Sequence, residues 1–171
     1  VTIGRTTYPL PKPFFVMATQ NPIESAGVYT LPEAQIDRFI FKVIMNYPKK
    51  EEEKIIMKNN INLRNFQDFE VKKVISPKDI IEMQKIVKKV YLSREIEDYI
   101  VGISNATRSK KTKTAKYIEW GASPRASISL FIASKAEALM NRRNFVIPDD
   151  VKNIALDVLR HRIILNYEAE A

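Results

Sequence analysis

Apolar residues along the first 48 positions fall in short strand-length runs set between turn signals, and the pattern predicts a β-rich segment. Val1-Thr2-Ile3 and Thr6-Thr7-Tyr8 flank Gly4-Arg5, a Gly-X hairpin signal. Pro9, Pro11 and Pro13 then keep the chain extended. Phe14 to Ala18 reads as a buried strand that ends on Thr19-Gln20-Asn21-Pro22. Leu31 to Asp37 reads as a short helix with Pro32 in its first turn, and Phe39 to Met45 as a second strand closed by Asn46-Tyr47-Pro48.

Beyond Pro48 the period changes to that of a helix. Glu51 to Asn59 begins the change, and an irregular stretch runs on to Ile75. Ser76-Pro77-Lys78-Asp79 is a helix start, with serine as cap and proline at the first position. Behind it Ile80, Met83, Gln84, Val87 and Val90 fall on one face. Three further stripes are expected to face a core: Ile96, Tyr99, Ile100 and Ile103; Ile128, Ile132, Ala136 and Leu139; and Val151, Ile154, Ala155, Val158 and Leu159. The expected architecture is therefore a β-rich part over residues 1–48 and a helical part over 49–171, predominantly helical overall.

Composition narrows the class. The chain has 171 residues, 45% hydrophobic and 28% charged, as a globular protein has. No apolar stretch approaches a membrane span, and the start carries no secretory pattern. The absence of an initiator methionine suggests a piece of something longer. With no cysteine, thiol chemistry is excluded, which fits a reducing cytoplasm. A single histidine, His161, argues against a zinc site, and no metal ligand set is expected. The net charge of +8 comes from residues 49–171, because residues 1–48 hold four basic and three acidic side chains. Such an excess points either to an anionic partner or to a lysine-rich solvated surface. Its one concentrated patch, Lys110 to Lys116, reads as an exposed loop without interleaved aromatics.

Three stretches could carry chemistry. Asn21, at the end of a predicted strand, either closes a turn or meets a phosphate oxygen and a water, in the place where open α/β sheets bind ligands. Asp37-Arg38 is either a surface ion pair or an arginine that reaches a neighbouring subunit, where a guanidinium stabilises a transferring phosphoryl group. In Gly121-Ala122-Ser123-Pro124-Arg125-Ala126, Ser123 caps a helix and Arg125 occupies its first turn, where the helix dipole does not favour a cation. An exposed arginine and an anion-binding arginine are both compatible with that placement.

Taken together, "PFFVMATQNPIESAGVYTLPEAQIDRF" and "GASPRASISLFIASKAEALMNRRNFVIPDDVKNIALDVLRHRI" resemble the MoxR family of AAA+ ATPases. The resemblance covers residues 1–48 and 76–169. One departure is Gly27-Val28-Tyr29-Thr30-Leu31-Pro32, where the family usually reads Gly-Thr-Tyr-Pro-Leu-Pro. The resemblance implies the C-terminal part of an AAA+ α/β core over residues 1–48, followed by an all-α helical lid over 49–171. It implies that Asn21 is sensor 1, beside the attacking water, and that Arg38 is the arginine finger. Asp37 would orient Arg38 or pair across the subunit interface, and Arg125 would be sensor 2, reading the γ-phosphate. It further implies ATP and Mg2+ in the intact protein, a hexameric ring, and partners bearing a von Willebrand factor A domain. A basic helical module binding nucleic acid, or a helicase-like lid, is the alternative, and it is the less supported one. No glycine among Gly4, Gly27, Gly102 and Gly121 opens a phosphate loop, and no Asp-Glu pair supplies a Walker B segment. The chain alone is therefore expected to hydrolyse no ATP.

Overall fold

The structure, a computed structural model, describes residues 1–21, 31–60 and 71–170. The chain opens on a hairpin of β1 (Thr2–Ile3) and β2 (Thr6–Thr7), paired antiparallel. Gly4 sits in its turn at φ +62°, a conformation glycine adopts without the steric cost a Cβ brings. A short helix α1 (Glu33–Ile36) follows, with Pro32 at its N-cap. Then come α2 (Lys50–Asn60), α3 (Pro77–Lys89) and α4 (Arg94–Ala106). A single 3-10 turn at Ala115–Tyr117 leads into β3 (Ile118–Trp120). The long helix α5 (Pro124–Met140) and α6 (Pro148–Leu159) come next, then β4 (Ile164–Leu165), which pairs antiparallel with β3, and α7 (Tyr167–Glu170).

Helix starts follow their local chemistry. Ser76 and Asp79 form a reciprocal capping box at α3, the Ser76 amide donating to the Asp79 carboxylate at 2.7 Å. At α6, Asp150 reaches back to accept the Ile147 amide at 2.9 Å and also receives the Arg143 guanidinium from the loop after α5. Burial raises the Asp150 pKa, but the bonds from Arg143 and Ile147 outweigh it and hold the carboxyl below its usual range. The Asp150 side chain is 1% exposed. Its ion pair therefore fixes the angle at which α6 leaves the loop, and breaking one partner would strand a buried charge.

The core lies between α4, α5 and α6. Ile96 and Ile100 of α4, Leu130 of α5, and Val151, Ile154 and Val158 of α6 are buried in one cluster. Two of the expected stripes are thus the ones that pack, although Tyr99 stays 37% exposed. The α5 stripe is corrected at two of its positions, while Leu139 packs against the core as expected. Ile128 and Ile132 are 58% and 47% exposed, while Ala126, Ser129, Leu130, Ala133, Ser134 and Ala138 are buried. Apolar residues run all round α5, so periodicity could not choose a face. Small side chains were favoured inside because they let α6 lie close against α5. The α3 stripe is looser than expected: Ile80 and Val87 are half-buried and Met83 is exposed, while Val90, at the C-cap, is buried in the core.

The two expected strands are also corrected. Phe14 to Ala18 and Phe39 to Met45 form no ladder among the described residues, and Phe39 and Ile40 lie in a bend. Phe15 is 80% exposed and Met45 91%. Strand propensity alone does not make a strand, because each edge needs a neighbour to accept and donate its backbone bonds. Residues 22–30 and 61–70, which include most of the Gly27–Pro32 departure and much of the irregular stretch before Ile75, lie outside the described residues.

The buried face of α5 is tested by a pair of truncations. Leu130→Ala should cost about 2–5 kcal/mol, the usual range for a buried leucine. Ile128→Ala should cost no more than about 0.5 kcal/mol, as exposed positions do. Urea unfolding monitored by circular dichroism measures both.

Candidate functional site

Two of the candidate residues, Asp37 and Arg125, meet where the end of α1 lies against the start of α5 and the end of α6. Asp37 closes α1 in helical conformation. Arg38 follows it in the turn beyond the helix, and the two side chains differ in burial. Asp37 turns inward, with its side chain 15% exposed. Arg38 is exposed, and its guanidinium has no hydrogen-bond or ion-pair partner among the described residues.

Three groups from the helical part converge on the Asp37 carboxylate. The Ser123 hydroxyl donates to it, 3.0 and 2.9 Å from its two oxygens. The Arg125 guanidinium donates to Oδ2 at 3.1 Å, and Arg162 Nε donates to Oδ1 at 3.1 Å. Burial works to raise the Asp37 pKa, but Ser123, Arg125 and Arg162 together hold the carboxyl below the usual range. Ser123 does double duty, because its oxygen also accepts the Arg125 amide at 3.2 Å and so caps α5. Asp37 is therefore tied to Arg125 and the lid side, rather than to Arg38.

Arg162 is the residue the sequence reading missed. Its side chain is 1% exposed. Besides Asp37 Oδ1 it donates to the backbone carbonyls of Asp37 and Ile40, each at 3.1 Å, and to those of Phe39 and Val158. Ser129 Oγ, from the buried face of α5, is a further acceptor at 3.1 Å. The five N–H groups of a guanidinium are thereby shared among six acceptors. Next to it, His161 Nε2 lies 3.0 Å from the Phe39 carbonyl, and the Lys42 amide donates to the Asp157 carbonyl at 2.8 Å. Residues 37–42 are thus laced to the end of α6 by backbone bonds that side chains and helix carbonyls complete.

The approach to Arg125 is fixed from the other side. The Ala122 amide donates to Thr107 Oγ1 at 3.0 Å, and Arg108 Nε donates to the Ala122 carbonyl. A Cβ on Gly121 would stand 2.5 Å from the Thr107 carbonyl oxygen. Only glycine lets this strap lie so close to the end of α4. The cleft beside it, lined by Glu33, Asp37, Trp120, Ser123, His161 and Arg162, has a volume of about 160 Å3. Ligand pockets usually run from about 300 Å3 upward, so this cleft alone does not enclose a nucleotide. The Arg125 side chain, 54% exposed, is bound to Asp37 of this lining.

Asn21, the third candidate, is exposed and stands at the last described position before residue 31. No group of histidine, aspartate or glutamate among the described residues could hold a metal ion. The donors at this site are guanidinium N–H groups and a hydroxyl. They fit the phosphates of a nucleotide and do not fit its magnesium. Lys110 to Lys116 is largely exposed, and the Lys116 ammonium lies 4.6 Å from the centre of the Tyr117 ring, an aromatic contact just beyond the segment. No described helix is long and apolar enough to cross a membrane.

His161 gives the clasp a pH dependence. Burial lowers its pKa, with the cations of Arg162 and Lys42 adding to that effect, against opposing pulls from the Phe39 carbonyl and Asp37. With Nε2–H donating to Phe39, Nδ1 is left buried without a partner among the described residues. A histidine pKa lowered on folding means that the unfolded chain binds the extra proton. Stability is then fully present above the unfolded value of about 6.5 and is lost as pH falls below it. The melting temperature should drop between about pH 7.5 and 5.5, and His161→Gln should flatten that drop. Differential scanning calorimetry across the range is the measurement.

Comparison with known proteins gives this arrangement its context. A family model described as "ATPase family associated with various cellular activities (AAA)" matches residues 1–41, and one described as "AAA lid domain" matches residues 110–171. Chaperone MoxR1 of Mycobacterium tuberculosis is 42% identical over 175 aligned residues, covering 100% of this chain and 45% of that protein. The uncharacterized protein YeaC of Bacillus subtilis is 42% identical over 170 residues, covering 99% of this chain and 51% of its own length. A crystal structure of a candidate ATPase from Cytophaga hutchinsonii superposes with a TM-score of 0.85 at 46% identity, covering 99% of this chain and 52% of that one. The chain therefore spans about half the length of the relatives it matches. Part of an AAA+ core followed by a helical lid, it belongs to the MoxR family of AAA+ ATPases.

Proposed function

We propose that the intact protein binds and hydrolyses ATP and uses that cycle to remodel or activate partner proteins. The observation that carries this reading is the Asp37–Arg38 step at the end of α1. One residue binds the lid arginine Arg125, and the next presents an exposed guanidinium with no partner among the described residues. In this reading the core ends at about residue 48 and the lid occupies residues 49–171. Family membership and the name chaperone carried by MoxR1 support it.

Each candidate has a role set by its chemistry. Arg38, unencumbered and outward, reaches the γ-phosphate held by an adjacent subunit of a ring, for which six subunits is the proposed number. Its planar fork stabilises charge on the transferring phosphoryl group. Arg125 contacts the same terminal phosphate from the lid. Asn21, neutral and able both to donate and to accept, positions the attacking water. Asp37 holds Arg125 and, through the α1 backbone, sets the direction of Arg38. Bound Mg2+ would neutralise phosphate charge, and its ligands and the phosphate loop are not among the residues of this chain. The chain by itself is therefore inactive. The proposed setting is the cytoplasm, with clients that include proteins bearing a von Willebrand factor A domain; neither nucleic acid nor a membrane is a proposed partner.

Arg38→Ala in the intact protein should lower ATP turnover by about 10³–10⁵, as loss of an arginine finger does, while leaving most nucleotide binding in place. Arg38→Lys should restore little. Mixing Arg38→Ala subunits with subunits disabled only in their phosphate loop should recover part of the activity in a steady-state phosphate-release assay, once co-assembly has been confirmed. No recovery at any ratio would mean that Arg38 does not act across an interface.

A further inference from the structure

Arg125 is already engaged by one anion, and reaching a second means dividing or moving its donors. Its Nη1 donates to Asp37 Oδ2 at 3.1 Å, and the proposed reading sends the same guanidinium to a phosphate. We propose that Asp37 is a competitor for Arg125: its carboxylate holds the guanidinium until the terminal phosphate of the nucleotide takes it over. Asp37 is then a positioning residue that sets how much of the nucleotide's binding energy goes into releasing the lid arginine. This inference rests on the ATP reading above and specifies how the same site is regulated.

The unequal burial of the two arginines on Asp37 supports an exchange. The Arg162 side chain is 1% exposed and that of Arg125 is 54% exposed. Arg162 is fixed by backbone carbonyls on both sides and stays where it is. Arg125 has no hydrogen bond to its side chain from any other described residue, so only the pair with Asp37 must break for it to swing. An exposed ion pair is a weak tie, whereas a phosphate offers more charge and several oxygens in the geometry a guanidinium fork matches. After the exchange Asp37 still accepts from Ser123 and Arg162, so its charge remains compensated and α5 keeps its cap. The pair can therefore open without disturbing the core, as a switch requires and a structural tie does not.

The competition reduces apparent affinity in proportion to the fraction of Arg125 that is held. Replacing Asp37 by asparagine keeps an acceptor for Ser123 and removes the charge that holds Arg125. A purely structural role for Asp37 would make the variant bind nucleotide more weakly. Competition makes it bind more tightly. From the usual strength of exposed ion pairs, the gain should be about two- to fivefold.

The test measures equilibrium binding of a non-hydrolysable ATP analogue to the intact protein as wild type, Asp37→Asn, Arg125→Ala and the double variant. The expected result is tighter binding in Asp37→Asn and loss of that gain when Arg125 is absent. The double-mutant cycle separates competition from simple relief of charge repulsion between Asp37 and the phosphates. An equal gain in both backgrounds, no gain, or weaker binding overturns the competition while leaving the ATP reading intact. A wild-type protein that binds no analogue overturns the ATP reading and the competition with it. Should Asp37→Asn fail to fold, side-chain NMR of the wild type decides. The Arg125 guanidinium and Asp37 carboxyl resonances should move together as the analogue is added and stay put with ADP, and an unmoved Asp37 signal overturns the proposal.

Discussion

The described structure around the candidate site depends on the burial of one charge, the Arg162 guanidinium. Residues 37–42 turn out of α1 and pass the end of α6, and their carbonyls have no strand beside them among the described residues to supply N–H donors. Arg162 takes that part, donating to the carbonyls of Asp37, Phe39 and Ile40 from one planar group. Burying the cation is costly, and the Asp37 carboxylate offsets the cost by standing beside it. Charge, carbonyls and carboxylate are thus solved together, and removing any one leaves the others buried and unsatisfied.

From that clasp the rest of the site follows in order. The small buried face of α5 brings Ser129 within reach of Arg162 and lets α6 approach. The strap at Gly121 and Ala122, held on the end of α4, delivers Ser123 and Arg125 to the other side of Asp37. Asp37 therefore receives both the buried arginine that fixes it and the exposed arginine that can leave it. Arg38, the next residue, is exposed and bonded to neither. The division of labour between neighbouring residues comes from the helical turn at the end of α1 and requires no special strain.

Much of this was legible in the residues. Ser76 with Asp79, Ser123 with Pro124, and Gly4 in its hairpin are local signals, satisfied within a few positions, and each stands where its chemistry indicates. The α4 and α6 stripes were readable because polar residues occupy their opposite faces. The α5 face was not readable, because Ile128 and Ile132 are as apolar as Leu130 and only the close approach of α6 decides between bulk and smallness. Phe14 to Ala18 and Phe39 to Met45 have strand composition, yet pairing is a property of two segments and cannot be read from one. Arg162 was missed for a similar reason. Apart from the Asp37 carboxylate, its partners in the 37–40 segment are main-chain carbonyls more than a hundred positions earlier, and carbonyls carry no sequence signature. The one available hint was an arginine beside the lone histidine, immediately after an amphipathic helix.

Amide hydrogen exchange on Arg162→Met tests the clasp most directly, with the Lys42 amide as reporter, because it is bonded to the Asp157 carbonyl across the junction. Protection at residues 37–42 should fall sharply in the variant while the amides of α4 and α5 keep theirs. Unchanged protection at Lys42 in a folded Arg162→Met protein would contradict the claim that this buried guanidinium holds the Asp37–Arg38 segment in place.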